Sequence, residues 1–230
     1  LYDYAIPARR SQNEVRLMPL DDAFQRVRNF ELDVDPDARV FRYDDVGGAV
    51  HTFGVHDWHD RLEIRVEAEV ETLLANPFDG LNLLDDDWDG IENDRVRHDF
   101  AEFLAPSRFA PRHPGAEMLA RAVRRPHQSV AAYLVDLNHH LARLLKYDKD
   151  ATHVHSTLSE VLDLKAGVCQ DFAHVGIACC RAVGIPARYV SGYLLVERGS
   201  GMQGEQGSHA WLEAMLPGGR WLAIDPTNDL

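Results

Sequence analysis

The apolar residues of this chain change their spacing along its length, and that change limits the folds open to it. From Arg61 to Thr72 apolar and charged residues alternate strictly, which is typical of a β-strand with one buried and one solvated face. Beyond Pro114 the period becomes helical, because between about Ser129 and Lys146 apolar residues recur every three or four positions, at Val130, Leu134, Leu137, Leu141 and Leu144. Strands followed by helices predict an α+β protein.

This change of period divides the chain into three parts. Residues 1–75 predict a small β-rich domain, in which 41–55 forms a hairpin whose turn Gly47 and Gly48 permit. Residues 76–114 are irregular and rich in Asp and Pro, so we expect an acidic linker there. Residues 115–230 predict the domain that carries the chemistry.

One segment of the linker resembles a calcium loop. Asp85, Asp87 and Asp89 are followed by Gly90, as in the first half of an EF-hand loop. The twelfth position, where the bidentate glutamate belongs, is Val96. We therefore expect a solvated acidic segment, and we expect neither a metal site nor a cofactor in this chain.

Charge and cysteine content narrow the partners and the compartment. The formal net charge of −13 argues against nucleic acid and anionic membranes, both of which bind basic surfaces. No apolar run approaches the ~20 residues of a membrane span. Three cysteines, two of them adjacent, make a poor disulfide framework and favour a reducing compartment. We expect a cytoplasmic protein, although the chain opens at Leu1 and a targeting sequence could be missing.

The strongest chemical signal is a cysteine at the start of a predicted helix. Cys169 follows Gly167, which interrupts the preceding helix, and the next turns are rich in small residues. The positive end of the helix dipole and the free N–H groups there favour a thiolate over a thiol. Cys179 and Cys180 lie in the middle of the same helix, so we expect them to pack in the core. His174, about 140° round this helix from Cys169, is interpreted as structural.

A base and a carboxylate lie on two later segments that predict strands. Ser208-His209-Ala210-Trp211 and the segment ending at Asp225 are joined by the turn Pro217-Gly218-Gly219. A two-residue turn at Gly218-Gly219 would pair residues whose numbers sum to 437, and would place His209 and Asp225 on opposite faces. A Cys–His–Asp triad needs both on one face. We therefore predict an even register sum, produced by a three- or five-residue loop or by a bulge.

These segments also resemble a known family. Gly167-Val168-Cys169-Gln170-Asp171-Phe172-Ala173-His174, the stretch from Arg181 to Tyr193, Ser208-His209-Ala210-Trp211 and Asp225-Pro226-Thr227-Asn228 are similar to the core of the bacterial transglutaminase-like superfamily. Residues 11–20 and 43–48 resemble, more loosely, the β-rich domain that precedes this core in many bacterial members. The resemblance covers roughly 155–228 with several blocks in the family order.

The resemblance implies a papain-like α+β core, with a helix-borne cysteine packed on an antiparallel sheet, preceded by a small β-sandwich-like domain. It implies the catalytic triad Cys169, His209 and Asp225, with protein or peptide substrates. Related cores usually continue beyond the position of Leu230, so it also implies that the core is incomplete at its C-terminal end. It does not imply one substrate, since members include amide crosslinkers, peptidases, deglycating enzymes and proteins with no assigned reaction.

Three functions remain open at this point: a cysteine hydrolase of peptide or isopeptide bonds, a transglutaminase-type amine acyltransferase, and an interaction protein that retains the triad. Gln170, Asp171 and Trp211 are candidates for substrate binding or oxyanion stabilisation. A transferase must keep water from its thioester. We see one aromatic wall, Trp211, and predict that the glycine-rich segment 196–207 is a mobile loop that admits water. The sequence therefore favours hydrolysis.

Overall fold

The computed structural model describes residues 1–45, 47–73, 76, 78–194 and 207–230. The chain divides into two compact units, Leu1–Asn76 and Pro77–Leu230. Among the described residues, no helix combines the length and the apolarity that crossing a bilayer requires.

The first unit consists of two three-stranded antiparallel sheets. Their strands are β1 (Tyr2–Ala8), β2 (Ser11–Val15), β3 (Gln25–Asp35), β4 (Phe41–Asp45), β5 (Gly48–Val55) and β6 (His59–Thr72). The order is β1-β6-β3 in one sheet and β2-β5-β4 in the other. Phe53 and Val55 of β5 pack against Leu62 of β6, so the small core lies between the two sheets. The predicted hairpin is present, with Asp45 paired to Gly48.

The predicted alternating strand is present as β6, but its buried face is shorter than expected. Leu62 is buried, whereas Ala68 is exposed and Val70 is 37% exposed. The pairing with β3 continues to the end of β6, from Asp35↔Glu63 to Gln25↔Thr72. The alternation of apolar and charged residues therefore predicted the strand correctly. The burial of its apolar side chains depended on which part of β6 has the second sheet opposite it.

The second unit is mixed. Its elements are α1 (Asp94–Asp99), α2 (Ala101–Leu104), α3 (Pro114–Val123), α4 (Val130–Leu144), β7 (Lys146–Tyr147), α5 (Leu158–Leu164), β8 (Ala166–Gly167), α6 (Cys169–Ala182), β9 (Ala187–Leu194), β10 (Gly207–Met215) and β11 (Trp221–Ile224). The three-stranded sheet has the order β11-β10-β9, and β7 pairs with β8 in parallel. The α+β architecture and the helix-on-sheet core are therefore as predicted.

The prediction of a linker over 76–114 is corrected by the structure. Trp88, Ile91 and Ala110 belong to the main core of the second unit, and this unit begins at Pro77. The acidic residues serve as local acceptors: an Asp87 carboxylate oxygen accepts the Val130 N–H at 2.8 Å, at the start of α4. Short helices give no long apolar period, so the sequence pattern did not reveal this packing.

Helix α6 is the centre of the second unit. Its residues from Asp171 to Cys180 are buried except for the half-buried His174, and the helix packs on β10, where Gly176 lets it approach the sheet closely. A Cβ at position 176 would lie 2.8 Å from Leu212 Cδ2. The small residues of this helix thus allow close helix–sheet packing, and Cys169, the candidate nucleophile, lies on a rigid element.

Candidate active site

The cysteine lies at the first turn of α6. Val168 is extended and precedes the helix, so the backbone N–H groups of the first turn have no partner within it. Asp171 Oδ2 accepts the Val168 N–H at 2.8 Å and the Thr152 hydroxyl at 2.6 Å. A Cβ at Gly167 would lie 2.5 Å from the same oxygen, so this turn requires glycine.

These contacts correct one prediction. Asp171 was a candidate for substrate binding, but it is 3% exposed and its carboxylate binds the backbone that leads into Cys169 and the loop that contains Thr152. It therefore holds the nucleophile's helix start in place. Its position three residues after Val168 is that of a helix-capping acid, a signal that the sequence contained.

The histidine and the aspartate lie on one face of the sheet, as predicted. Strands β10 and β11 pair Leu212 with Ile224 and Met215 with Trp221, and both register sums are 436. The Leu216 N–H donates to the Arg220 carbonyl at 2.7 Å, which leaves a three-residue loop. Asp225 follows directly after β11, and its Oδ2 lies 2.8 Å from His209 Nε2.

Asp225 is held by three donors. In addition to His209 Nε2, the side-chain amide of Asn228 donates to Oδ2 at 2.7 Å and the Thr227 N–H donates to Oδ1 at 3.0 Å. The Asn228 amide nitrogen is also 3.5 Å from His209 Nε2. Asn228 belongs to the motif Asp225-Pro226-Thr227-Asn228, but the motif alone did not predict this role, although a spacing of three from Asp225 is that of a turn.

The electrostatics of the three groups favour an ion pair. Hydrogen bonds to Asp225 and to Cys169 raise the pKa of His209 to about 9, against the opposing effect of burial. Burial works against ionisation of Cys169. The His209 imidazole and the N–H groups of Ala210 and Gln170 outweigh it, and the pKa of the thiol is lowered. Burial likewise opposes ionisation of Asp225, but its donors keep the pKa of that carboxyl below its ordinary value.

The imidazole presents its second nitrogen to the thiol side. With Nε2 bonded to Asp225, the buried Nδ1 has no partner of full hydrogen-bond geometry among the described residues. The thiol and the imidazole nevertheless interact closely enough to shift each other's pKa. Cys169 is partly exposed, so a reagent can reach it.

The two other predicted site residues contribute differently. Trp211 stacks beside His209, with ring centroids 6.1 Å apart, and its ring lies over Gly192, where a Cβ would collide with it. The Gln170 backbone N–H helps to lower the pKa of Cys169, and the Gln170 side chain is partly exposed. Trp211 therefore forms a wall beside the base, and Gln170 acts on the thiol through its backbone.

The remaining cysteines are separate from this site. Cys179 and Cys180 are fully buried, and burial raises the pKa of both thiols, that of Cys179 to about 12. Their packing role is as predicted. Within the described parts of the chain, no cluster of three or more His, Cys, Asp or Glu residues is arranged to hold a metal ion.

Comparison with known proteins places this geometry in context. Residues 117–226 match the model of the transglutaminase-like superfamily, and residues 1–71 match that of the bacterial transglutaminase-like N-terminal region. The chain is 33% identical over 232 residues to an uncharacterised protein of Mycobacterium leprae, covering 100% of this chain and 81% of that protein.

Two further similarities concern proteins with a described activity. The chain is 36% identical over 117 residues to a protein-glutamine gamma-glutamyltransferase of Pseudomonas aeruginosa, across 49% of this chain but 17% of that protein. A solved structure from Cytophaga hutchinsonii, described as a candidate cysteine protease, has a TM-score of 0.73 at 22% identity, over 99% of this chain and 74% of that chain. At this identity the likeness establishes the fold.

Proposed function

The chain belongs to the transglutaminase-like superfamily, and on this premise we propose that it is a cysteine hydrolase that cleaves peptide or isopeptide amide bonds through a thioester on Cys169. The observation that carries the proposal is the arrangement of Cys169, His209 and Asp225. A partly exposed thiol of lowered pKa faces an imidazole whose pKa is raised to about 9, and a carboxylate fixes the other side of that imidazole.

The proposed reaction has two halves. The Cys169 thiolate forms a C–S bond to the amide carbonyl, whose π electrons move to oxygen. When this adduct collapses, the C–N bond breaks and the imidazolium of His209 gives its Nδ1 proton to the leaving amine. Water then attacks the thioester while His209 accepts its proton, and the C–S bond breaks to release the acid and the thiolate. Asp225 stays ionised throughout and stabilises the imidazolium.

The oxyanion would form at the start of α6. As the first helical residue, Cys169 has a backbone N–H without an intrahelical acceptor, and the helix dipole adds positive potential at the same point. The Gln170 and Ala210 N–H groups help to lower the pKa of the thiol, so they stabilise the thiolate before attack.

The environment of the site supports hydrolysis over transfer to an amine. Trp221 contacts Phe100, Phe103 and Arg188, so it is not a second wall beside Trp211. Tyr189 and Tyr193 of β9 are 40% and 48% exposed. Of the segment 196–207, which the sequence predicted to be a mobile loop, residues 196–206 lie outside the described residues and Gly207 begins β10. Walls that are this open admit water to a thioester.

Two experiments separate the three candidate functions. Incubation with a panel of peptide amides, followed by hydroxylamine trapping, detects the thioester; an interaction protein that retains an idle triad forms none. Incubation with a reactive-glutamine donor and excess primary amine then compares free acid with amine adduct. We expect the free acid to predominate, and a predominance of adduct would replace the hydrolase with a transferase. Cys169→Ser and Cys179→Ser serve as the inactive and the active control.

A further inference from the structure

We propose that Tyr189 and Tyr193 form a subsite for a bulky apolar side chain that flanks the scissile amide, so that the substrates are peptides with an aromatic or large aliphatic residue there. The inference rests on the proposed function and adds the class of substrate. We call the surface formed by Tyr189, Ser191 and Tyr193 the tyrosine face.

The sheet register places the tyrosine face next to the nucleophile. The Cys169 thiol interacts with the Ala210 N–H, and Ala210 pairs across the strands with Ser191. Tyr189 and Tyr193 lie two residues either side of Ser191, so all three side chains project from the same face of β9. Cys169 is close enough to Tyr189 to contribute to the raised pKa of that phenol, and Tyr193 continues the same face of β9 on the other side of Ser191.

The position of Tyr189 is fixed by stacking. Its ring lies on His174 of α6, with centroids 4.9 Å apart and planes 18° apart. His174 in turn stacks on Phe109 at 5.2 Å, and Arg108 covers the far side of Phe109. Since His174 is five residues beyond Cys169, it stands ~7.5 Å further along the helix axis. The nucleophile and the wall of the subsite are therefore parts of one rigid assembly.

The chemistry of the tyrosine face favours an apolar ligand. Burial is the main cause of the raised pKa of Tyr189, about 12, and nearby Cys169 and Asp171 add to it, so the phenol stays neutral. Burial also lowers the pKa of His174, which is therefore neutral at pH 7. The carboxylate of Asp171, which adds to the raised pKa of Tyr189, is buried and already binds the Val168 N–H and the Thr152 hydroxyl. Exposed neutral rings next to a nucleophile bind apolar side chains through contact area.

The test is labelling of Cys169 with a series of peptidyl acyloxymethyl ketones that differ in the side chain next to the warhead: Phe, Leu, Gly, Lys or Asp. The Phe and Leu probes should label the wild-type protein at least ~10-fold faster than the Gly probe, the usual discrimination of an apolar pocket. The double variant Tyr189→Ser/Tyr193→Ser should lose this preference. Tyr189→Phe/Tyr193→Phe, which keeps both rings, should retain it.

Two controls make the result specific. Tyr2→Ser, at a 59% exposed tyrosine of the first unit, should leave the preference unchanged. Iodoacetamide, which has no side chain, should label Cys169 equally fast in wild-type and variant proteins. The inference would be overturned if all probes labelled the wild-type protein at the same rate or if the Lys probe labelled it fastest. It would also be overturned if the preference for Phe and Leu remained after the double Ser substitution. Fast iodoacetamide labelling in such a result would leave the proposed function standing, whereas slow labelling would contradict both.

Discussion

At the scale of single residues, the thiol should be ionised well below the ordinary pH range of cysteine. A cysteine with the usual pKa near 8.5 is about 0.3% thiolate at pH 6. Because the pKa of Cys169 is lowered and that of Cys179 and Cys180 is raised, iodoacetamide at pH 6 should modify Cys169 far faster than either. His209→Ala should slow this modification about tenfold or more, because the imidazole helps to lower the pKa of the thiol. Peptide mapping by mass spectrometry measures it; equal modification of the three thiols would contradict the ion pair.

The same pair should set the pH range of hydrolysis. His209 must be protonated to give a proton to the leaving amine, and its pKa is raised to about 9. Activity should therefore fall as pH rises through about 9, and it should fall on the acid side where the lowered pKa of Cys169 lies. Measurement of kcat/KM from pH 4 to pH 10 checks both limbs. An alkaline limb near the ordinary histidine value would show that Asp225 does not stabilise the imidazolium.

Asn228 should act through Asp225. Asn228→Ala removes one donor from Oδ2 and frees the carboxylate to turn away from His209 Nε2. We expect the pKa of His209 to fall, so that the alkaline limb moves to lower pH and kcat drops while KM is unchanged. Thr227→Val is the matched control, because the buried Thr227 hydroxyl has no hydrogen-bond partner among the described residues and its N–H is retained. An unchanged alkaline limb in Asn228→Ala would refute this role.

At the scale of elements, the close packing of α6 on β10 decides where the thiol stands. Gly176→Ala places a Cβ 2.8 Å from Leu212 Cδ2, in a fully buried contact. Alanine gains up to ~1 kcal/mol of helix propensity over glycine, but overpacking costs about 1–3 kcal/mol, so the net effect should be destabilising. Urea unfolding of Gly176→Ala, Leu212→Ala and the double variant tests it. The double variant should lose less free energy of unfolding than the two single variants lose together. Additive losses would mean that the two side chains do not compete for space.

At the scale of the whole molecule, the first unit should lose stability in acid. His51 lies in the first unit, 6% exposed and stacked on Phe30, and burial together with the Arg42 charge lowers its pKa. Below about pH 6.5 the His51 imidazole binds a proton in the unfolded chain but not in the folded unit. The free energy of unfolding therefore keeps its full value above that pH and decreases as the pH falls. Urea unfolding at pH 7.5 and pH 5.5 should show this loss in wild-type protein. It should be smaller in His51→Phe and unchanged in His56→Gln, whose histidine is exposed; an equal loss in all three would exclude His51 as the cause.

The sequence by itself determined the features that depend on near neighbours in the chain. Alternation predicted β6, a three-to-four period predicted α4, and the glycine before Cys169 marked the start of α6. The requirement that His209 and Asp225 share a face predicted an even register sum, and the pairing at 436 confirms it. These predictions succeeded because period, capping and turn parity act over a few residues.

The tertiary structure alone decided which residues are buried and what their side chains meet. It brought Trp88 into the core from a segment that looked like a linker, and it set Asp171 to hold the start of α6 instead of facing substrate. It also left Tyr189 and Tyr193 partly exposed on one face of β9. The physical reason is that burial and contact depend on elements far away in the chain, whose positions no local pattern encodes.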